Sequence, residues 1–245
     1  EKAVIHINDT HPALAIPELM RILMDEQGLG WDEAWDITSR MFAYTNHTIM
    51  AEALEKWPEQ LFIQILPRIY SIVKEINERF CAMVHRDFPH KRADIHKIAI
   101  IAYGQIAMAP LCIAGSYSVN GVSQLHSQII KDETFKDYSA VFPSKFTNVT
   151  NGVTHRRWLM LSNPMLTELI TEKIGNDWIS DPVQLIELKK YINDNEFLEK
   201  FDEIKKLNKR KLAKYIKRTT GITVSEDSIF DVQVKRLHEY KRQLL

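Results

Sequence analysis

The run Val4-Ile5-His6-Ile7 has the branched, apolar character of a short buried strand. Asn8-Asp9-Thr10-His11-Pro12 follows at once, and Leu14, Leu19, Ile22 and Leu23 then keep a helical spacing up to Gly28. Strand, short polar turn and helix in immediate succession constrain the chain more than any other feature. The arrangement belongs to α/β architecture, where such a turn presents its side chains at the carboxyl edge of a sheet, the usual place for a ligand. Asp9 and His11 could there hold sugar hydroxyls or serve as acid and base. Alternatively, Thr10 or Asp9 caps the helix, with Pro12 at an early helical position, and His11 is a bystander.

The rest of the chain reads as helix-rich. Helices are expected over 32–43 and 58–88, the latter kinked or split at Pro67. Residues 95–103 are ambiguous between strand and helix. A buried helix is expected over 107–114, and a further helical stretch over 119–130. The segment between them, Gly115 to Gly121, reads as a tight polar turn, and 142–151 as a connection. Helices are expected again over 163–174, 183–191 and 196–218, stopped by Gly221. Phe230-Asp231-Val232-Gln233-Val234 alternates like a strand. Charge changes sign near residue 150: residues 1–150 carry 14 Lys/Arg against 18 Asp/Glu, and residues 151–245 carry 18 against 14. A boundary near Asn151 is therefore expected.

Several functional classes are disfavoured. Lys plus Arg and Asp plus Glu both number 32, so no net charge draws the chain to nucleic acid or to a membrane surface. The basic stretch 200–218 has only Phe201 and Tyr215 as interleaved aromatics, which suits a solvated helix face better than a nucleic-acid platform. The apolar-rich run 98–114 is too short and too interrupted to span a bilayer. Glu1 to His6 has no apolar leader core, so no signal peptide is expected. The abrupt start and the ending at Gln243-Leu244-Leu245 suggest an internal slice of a longer chain. Cys81 and Cys112 lack the spacing of a zinc site, and no metal is expected. Two buried thiols in a reducing compartment are expected instead. Thr45-Asn46-His47-Thr48 and Asn148-Val149-Thr150 match glycosylation sequons by accident.

The densest chemistry lies at the end. Lys235, Arg236, His238, Tyr240, Lys241 and Arg242 fall within eight residues directly after the expected strand. Arg grips a phosphate with paired hydrogen bonds and Lys adds a point charge, so the cluster suits an anion. A solvated basic loop is the plainer alternative.

Read together, these segments resemble the glycogen and starch (α-1,4-glucan) phosphorylase family. The runs are Asn8–Pro12 with Ala15–Arg21, Ala43–Thr48, Glu52–Pro58, Val119–Val122, Thr150–Thr154 with Arg156–Trp158, and Phe230–Leu245, in the family's order. The resemblance implies a two-domain GT-B glycosyltransferase fold with Rossmann-like halves, incomplete in this chain. Residues 1–150 would close the first domain and residues 151–245 would begin the second, with the active site in the cleft between them. It implies release of α-glucose 1-phosphate from glycogen, starch or maltodextrin by phosphate, with retention, aided by the phosphate group of pyridoxal 5'-phosphate. Lys235 and Lys241 would lie at the cofactor phosphate, Arg236 would clamp the substrate phosphate, and His238 would support their loop. Tyr240 and Asn151 would hydrogen-bond glucose, and Asp9 and His11 would line the pocket beside its anomeric side. At Tyr117 well-studied members carry a His that touches the sugar, and His155 stands where Pro is common. The short stretch Tyr103–Ile106 suggests a bacterial-type branch. The Schiff-base lysine belongs to a motif, Gly-Thr-Gly-Asn-Met-Lys, that this chain does not contain, so the slice alone is expected to be inactive. The full-length enzyme is expected to be an allosterically regulated, cytoplasmic homodimer. A non-catalytic helical scaffold and a nucleotide-sugar-dependent glucan transferase are the competing readings.

Overall fold

A computed structural model describes residues 3–232 and 234. The chain divides into two compact units, Glu1–Gly152 and Val153–Leu245. The first is α/β. Its sheet contains β1 (Ile5–Asn8), β2 (Phe42–Thr45), β6 (Ser118–Gly121) and β7 (Phe146–Asn148), in that order and all parallel. Between β1 and β2 lie α1 (Ala15–Arg21), which widens into a π-helical turn at Ile22–Glu26, and α2 (Trp31–Met41). A second, antiparallel sheet of β3 (Lys56–Pro58), β4 (Ile101–Ala102) and β5 (Gln105–Ala107) has the order β3-β5-β4. The β4–β5 turn places Tyr103 (φ 53°) and Gly104 (φ 70°) in the left-handed region that a two-residue hairpin needs. Helices α3 (Glu59–Ile65), α4 (Pro67–Asp87), α5 (Met108–Gly115), α6 (Gln124–Ile129) and α7 (Lys136–Val141) complete the unit.

Register sorts the side chains. Ile7 pairs with Tyr44, Tyr44 with Val119, and Val119 with Phe146, and all four are buried. With Phe42 they form the apolar face that packs on the helices, through Ile16, Met20, Ile72, Val73, Leu111 and Ile113. The alternate positions, His6, Asn8, Thr45, Ser118, Asn120 and Thr147, form a polar face. Parallel sheets usually read as apolar on both sides; this one alternates.

The expected helix of 58–88 divides at Pro67, which takes the first position of α4 because its missing N–H costs nothing there. Several expectations are corrected. The helix expected over 32–43 ends at Met41, and Phe42–Thr45 is a central strand. The polar turn expected over 115–121 and the helix expected over 119–130 give way to β6, followed by a helix only from Gln124. The connection expected over 142–151 holds β7. Short strands set flush against helices carry too few residues to display a period of two, and the sheet decides them through burial. Thr10 does not cap α1: Leu14 occupies that position without a side-chain bond. The Thr10 hydroxyl donates instead to Glu55 Oε2 at 2.7 Å.

In the second unit α8 (Pro164–Ile174) is capped by Asn163, and α9 (Asn195–Thr220) by Asp194, whose carboxylate accepts from Phe197 N–H. Gly221, at φ 77°, ends α9. A small core holds Leu169, Ile170, Trp178, Phe197 and Ala213. Residues 182–191 form 3-10 turns. The basic face of α9 is solvated, with Lys206 paired to Asp202, Lys200 to Glu196, and Arg210 to Glu226. Of the expected strand 230–234, the described residues 230–232 and 234 carry no strand assignment.

Among the described residues no helix is long and apolar enough to cross a membrane, and no side-chain cluster suits a metal ion. Both cysteines are free; Cys112 is buried, and burial pushes its thiol pKa far up. Cys81 is only half-buried.

Gly121 closes the end of β6 against α6. A Cβ there would lie 2.5 Å from Ser127 Oγ and 2.8 Å from Ser127 Cα. At Gly115 the obstruction is the buried Ile16 side chain, at 2.7 Å, and no backbone atom lies as close as at Gly121. Gly121→Ala should therefore cost about 1–3 kcal/mol of stability, and Gly115→Ala less. Urea unfolding of the two variants measures the order, and a larger loss at Gly115 would contradict it.

Candidate active site

The polar residues of the first unit gather at the carboxyl edge of the parallel sheet. After β1 the chain turns through Asp9, whose φ of 63° is a left-handed conformation that costs a non-glycine residue about 1 kcal/mol. Its N–H donates to the Thr45 carbonyl of β2 at 3.0 Å. Its Oδ1 accepts from Thr10 N–H at 2.7 Å. Oδ2 lies 3.7 Å from His11 Nε2, and the other ring nitrogen of His11 is 3.2 Å from Glu55 Oε1. Glu55 thus bridges Thr10 and His11 with its two oxygens. Asp9, His11 and Glu55 form one polar cluster, with His11 the exposed member.

The end of β2 adds a second group. Asn46 is fully buried; its amide donates to the Tyr44 hydroxyl and its Oδ1 accepts from Thr48 N–H. Both ends of the amide are satisfied, which locks the turn and leaves His47 projecting from it. His47 Nε2 lies 2.7 Å from Asn8 Oδ1. On the polar face, the Thr45 hydroxyl donates to Asn120 Oδ1 at 2.7 Å, so His6 Nε2–H donates to Thr45 at 2.6 Å. Burial of Asn46 also removes it as a glycan acceptor.

A third group follows β6 and β7. Val122 N–H donates to His126 Nδ1 at 3.1 Å, and burial holds that imidazole below its ordinary pKa. Asn151 N–H donates to the Val122 carbonyl at 3.0 Å. Asn148 accepts from the Ser127 hydroxyl and donates to Thr150. The Asn151 side chain is exposed at this edge. It follows β7 and is tied through its backbone to the segment just past β6, at the same carboxyl edge as Asp9.

The edge thus brings together Asp9, His11 and Asn151 of the expected residues. Tyr117 is elsewhere. It precedes β6 and its N–H donates to Phe42, the first residue of β2, so it lies at the amino edge, a full strand length from Asp9. His47, Glu55 and Asn148 are at the edge and were not expected there. His47 lies four residues past the helix expected over 32–43; once Phe42–Thr45 is seen as a strand, a histidine two residues past its end becomes a ligand-edge residue. Lys235, Arg236, His238, Tyr240 and Lys241 lie outside the described residues. His155 is buried, with Nε2 at 3.0 Å from the Ile179 carbonyl, and packs on Trp178.

A carboxyl edge set with hydroxyl, amide, imidazole and carboxylate groups has the donors and acceptors of a sugar site. A family model for carbohydrate phosphorylases matches residues 1–245. The chain belongs to the carbohydrate phosphorylase family. It is 54% identical over 245 residues to a glycogen phosphorylase of Bacillus subtilis, covering 100% of this chain and 31% of that relative. It is 50% identical over 248 residues to the muscle form of glycogen phosphorylase from Mus musculus, and equally to that of Homo sapiens, covering 30% of each. The chain therefore spans about 30% of the length of the curated relatives it matches.

Within this phosphorylase-family unit, Thr45 joins three strands through side chains. Thr45→Val keeps its volume but leaves His6 Nε2–H and Asn120 Oδ1 without their partner. A loss of about 1–3 kcal/mol is expected, with Thr45→Ser close to wild type. Thermal unfolding of both variants reads this, and equal stability of Thr45→Val and wild type would refute the role of the hydroxyl.

Proposed function

We propose that the protein containing this chain is an α-1,4-glucan phosphorylase that releases α-glucose 1-phosphate from glycogen, starch or maltodextrin by phosphorolysis with retention. The family match over the whole chain carries this reading, and the polar edge of the first unit supports it. In this reading the chain supplies the end of one GT-B domain and the start of the next, and the slice alone is inactive. Asp9, His11 and His47 line the sugar pocket, with Asp9 and His11 held by Glu55. Asn151 donates to a glucose hydroxyl, and Tyr240 adds a second hydrogen bond.

The donor set of the closing run fits two phosphates. Substrate phosphate and cofactor phosphate repel when brought close, and several fixed cations offset that repulsion where little water is left to screen it. Arg236 binds the substrate phosphate in two-point fashion, while Lys235 and Lys241 would hold the phosphate of pyridoxal 5'-phosphate. His238 supports their loop. The cofactor would supply a phosphate group able to exchange a proton with the substrate phosphate. Its carrier lysine lies in the motif absent from this chain. A cytoplasmic homodimer acting on inorganic phosphate and an α-glucan, without nucleic acid or membrane, completes the proposal.

The test is glucose 1-phosphate release from maltodextrin and phosphate by the full-length protein, with Lys241→Ala beside it. An active parent is expected. The variant should fall by about 10² or more in kcat at unchanged cofactor content, the order of loss for one preorganised charge at a developing anion. A parent that carries the cofactor yet releases no glucose 1-phosphate would refute the reaction.

A further inference from the structure

A cavity of about 280 Å³ opens in the first unit between α2, α4 and the segment before β7. None of its lining residues belongs to the carboxyl edge. Four rings wall it: Trp31 and Trp35 from α2, Phe80 from α4, and Phe142. Two cations reach it, and their situations differ. The Arg79 guanidinium lies over the Trp31 ring and is already paired with Glu75 and Asp32. Lys145 has no carboxylate partner among the described residues. Its Nζ donates to the carbonyls of Ile113 and Ala114, at 3.0 and 3.3 Å, and sits 4.4 Å from the Phe142 ring centroid.

The two carbonyls belong to the buried last turn of α5, where helical donors run out, so Lys145 caps that helix. An ammonium has three N–H donors, and capping uses two. The charge is also only partly compensated: burial pushes the Lys145 pKa down to about 8. A carboxylate placed on the remaining N–H would supply the missing counter-charge, and a charge-assisted bond in a poorly hydrated cavity is strong. Aromatic walls add stacking that an aliphatic acid would not use. The volume is at the low end for small-molecule sites, which restricts the ligand to one or two rings.

We propose that this cavity binds a small planar aromatic carboxylate, with its rings between the indoles and the Phe80 and Phe142 rings and its carboxylate on Lys145 Nζ. The site is separate from the sugar edge and does not depend on the phosphorylase reading.

The experiment uses the full-length protein and two probes of one shape, 1-naphthoate and its neutral amide, titrated by calorimetry at neutral pH. Wild type should bind the acid roughly tenfold or more tighter than the amide. Lys145→Met, which keeps the length of the side chain, should lose that preference and keep the affinity for the amide. A variant-free arm guards against misfolding: saturating naphthoate should protect Lys145 of the wild-type protein from reductive methylation, read by peptide mass spectrometry, and naphthamide should protect it far less. Equal binding of acid and amide, no binding of either, or unprotected methylation of Lys145 under saturating naphthoate would each overturn the proposal.

Discussion

Pairing of β2 on both sides is the constraint on which the first unit rests. A central strand buries its backbone, so every N–H and C=O must find a partner in β1 or β6. The partners fix the register, and the register fixes the faces, because a slip by one residue would exchange Tyr44 for Thr45 in the core. The polar edge follows from the same register. Asp9 and Asn46 are held by backbone bonds that continue the two ladders, from Asp9 N–H to the Thr45 carbonyl and from Asn46 N–H to the Asn120 carbonyl. The side chains at the edge are thus placed by the sheet and only adjusted by their own hydrogen bonds.

Much of this was legible in the sequence, and the missed strands share a cause. The first strand–turn–helix, the division at Pro67 and the long α9 with its Gly221 stop all carry local signals that burial reinforces. Strands β2, β6 and β7 have three or four residues each and run directly out of or into helical segments. Phe42 continues the helical spacing of Trp35 and Thr38 as well as the alternation with Tyr44, and only the neighbouring strands choose between them. Missing those strands hid His47, since a residue's edge is known only once the direction of its strand is known. Thr10 was misread for a different reason: its hydroxyl has a partner 45 residues away in Glu55, which no local cap rule registers.

The family assignment and the geometry bear on each other through this edge. Sugars are recognised by directed hydrogen bonds rather than by burial of area, and directed bonds need rigid donors. The fully satisfied amide of Asn46 beneath His47, the bridging carboxylate of Glu55 beneath His11, and the strained backbone at Asp9 are three ways of making a side chain rigid at the end of a short strand.

The order of the parallel sheet, β1-β2-β6-β7, is also the order of the chain. Contacts such as His6 to Thr45 and Thr45 to Asn120 span 39 and 75 residues, so each strand waits for a crossover to close. Yet no strand of the four has to be inserted between two that are already paired. As these four strands leave the ribosome, each new one covers the open edge left by the last. The three-residue β7 is the shortest template of the four for unwanted pairing.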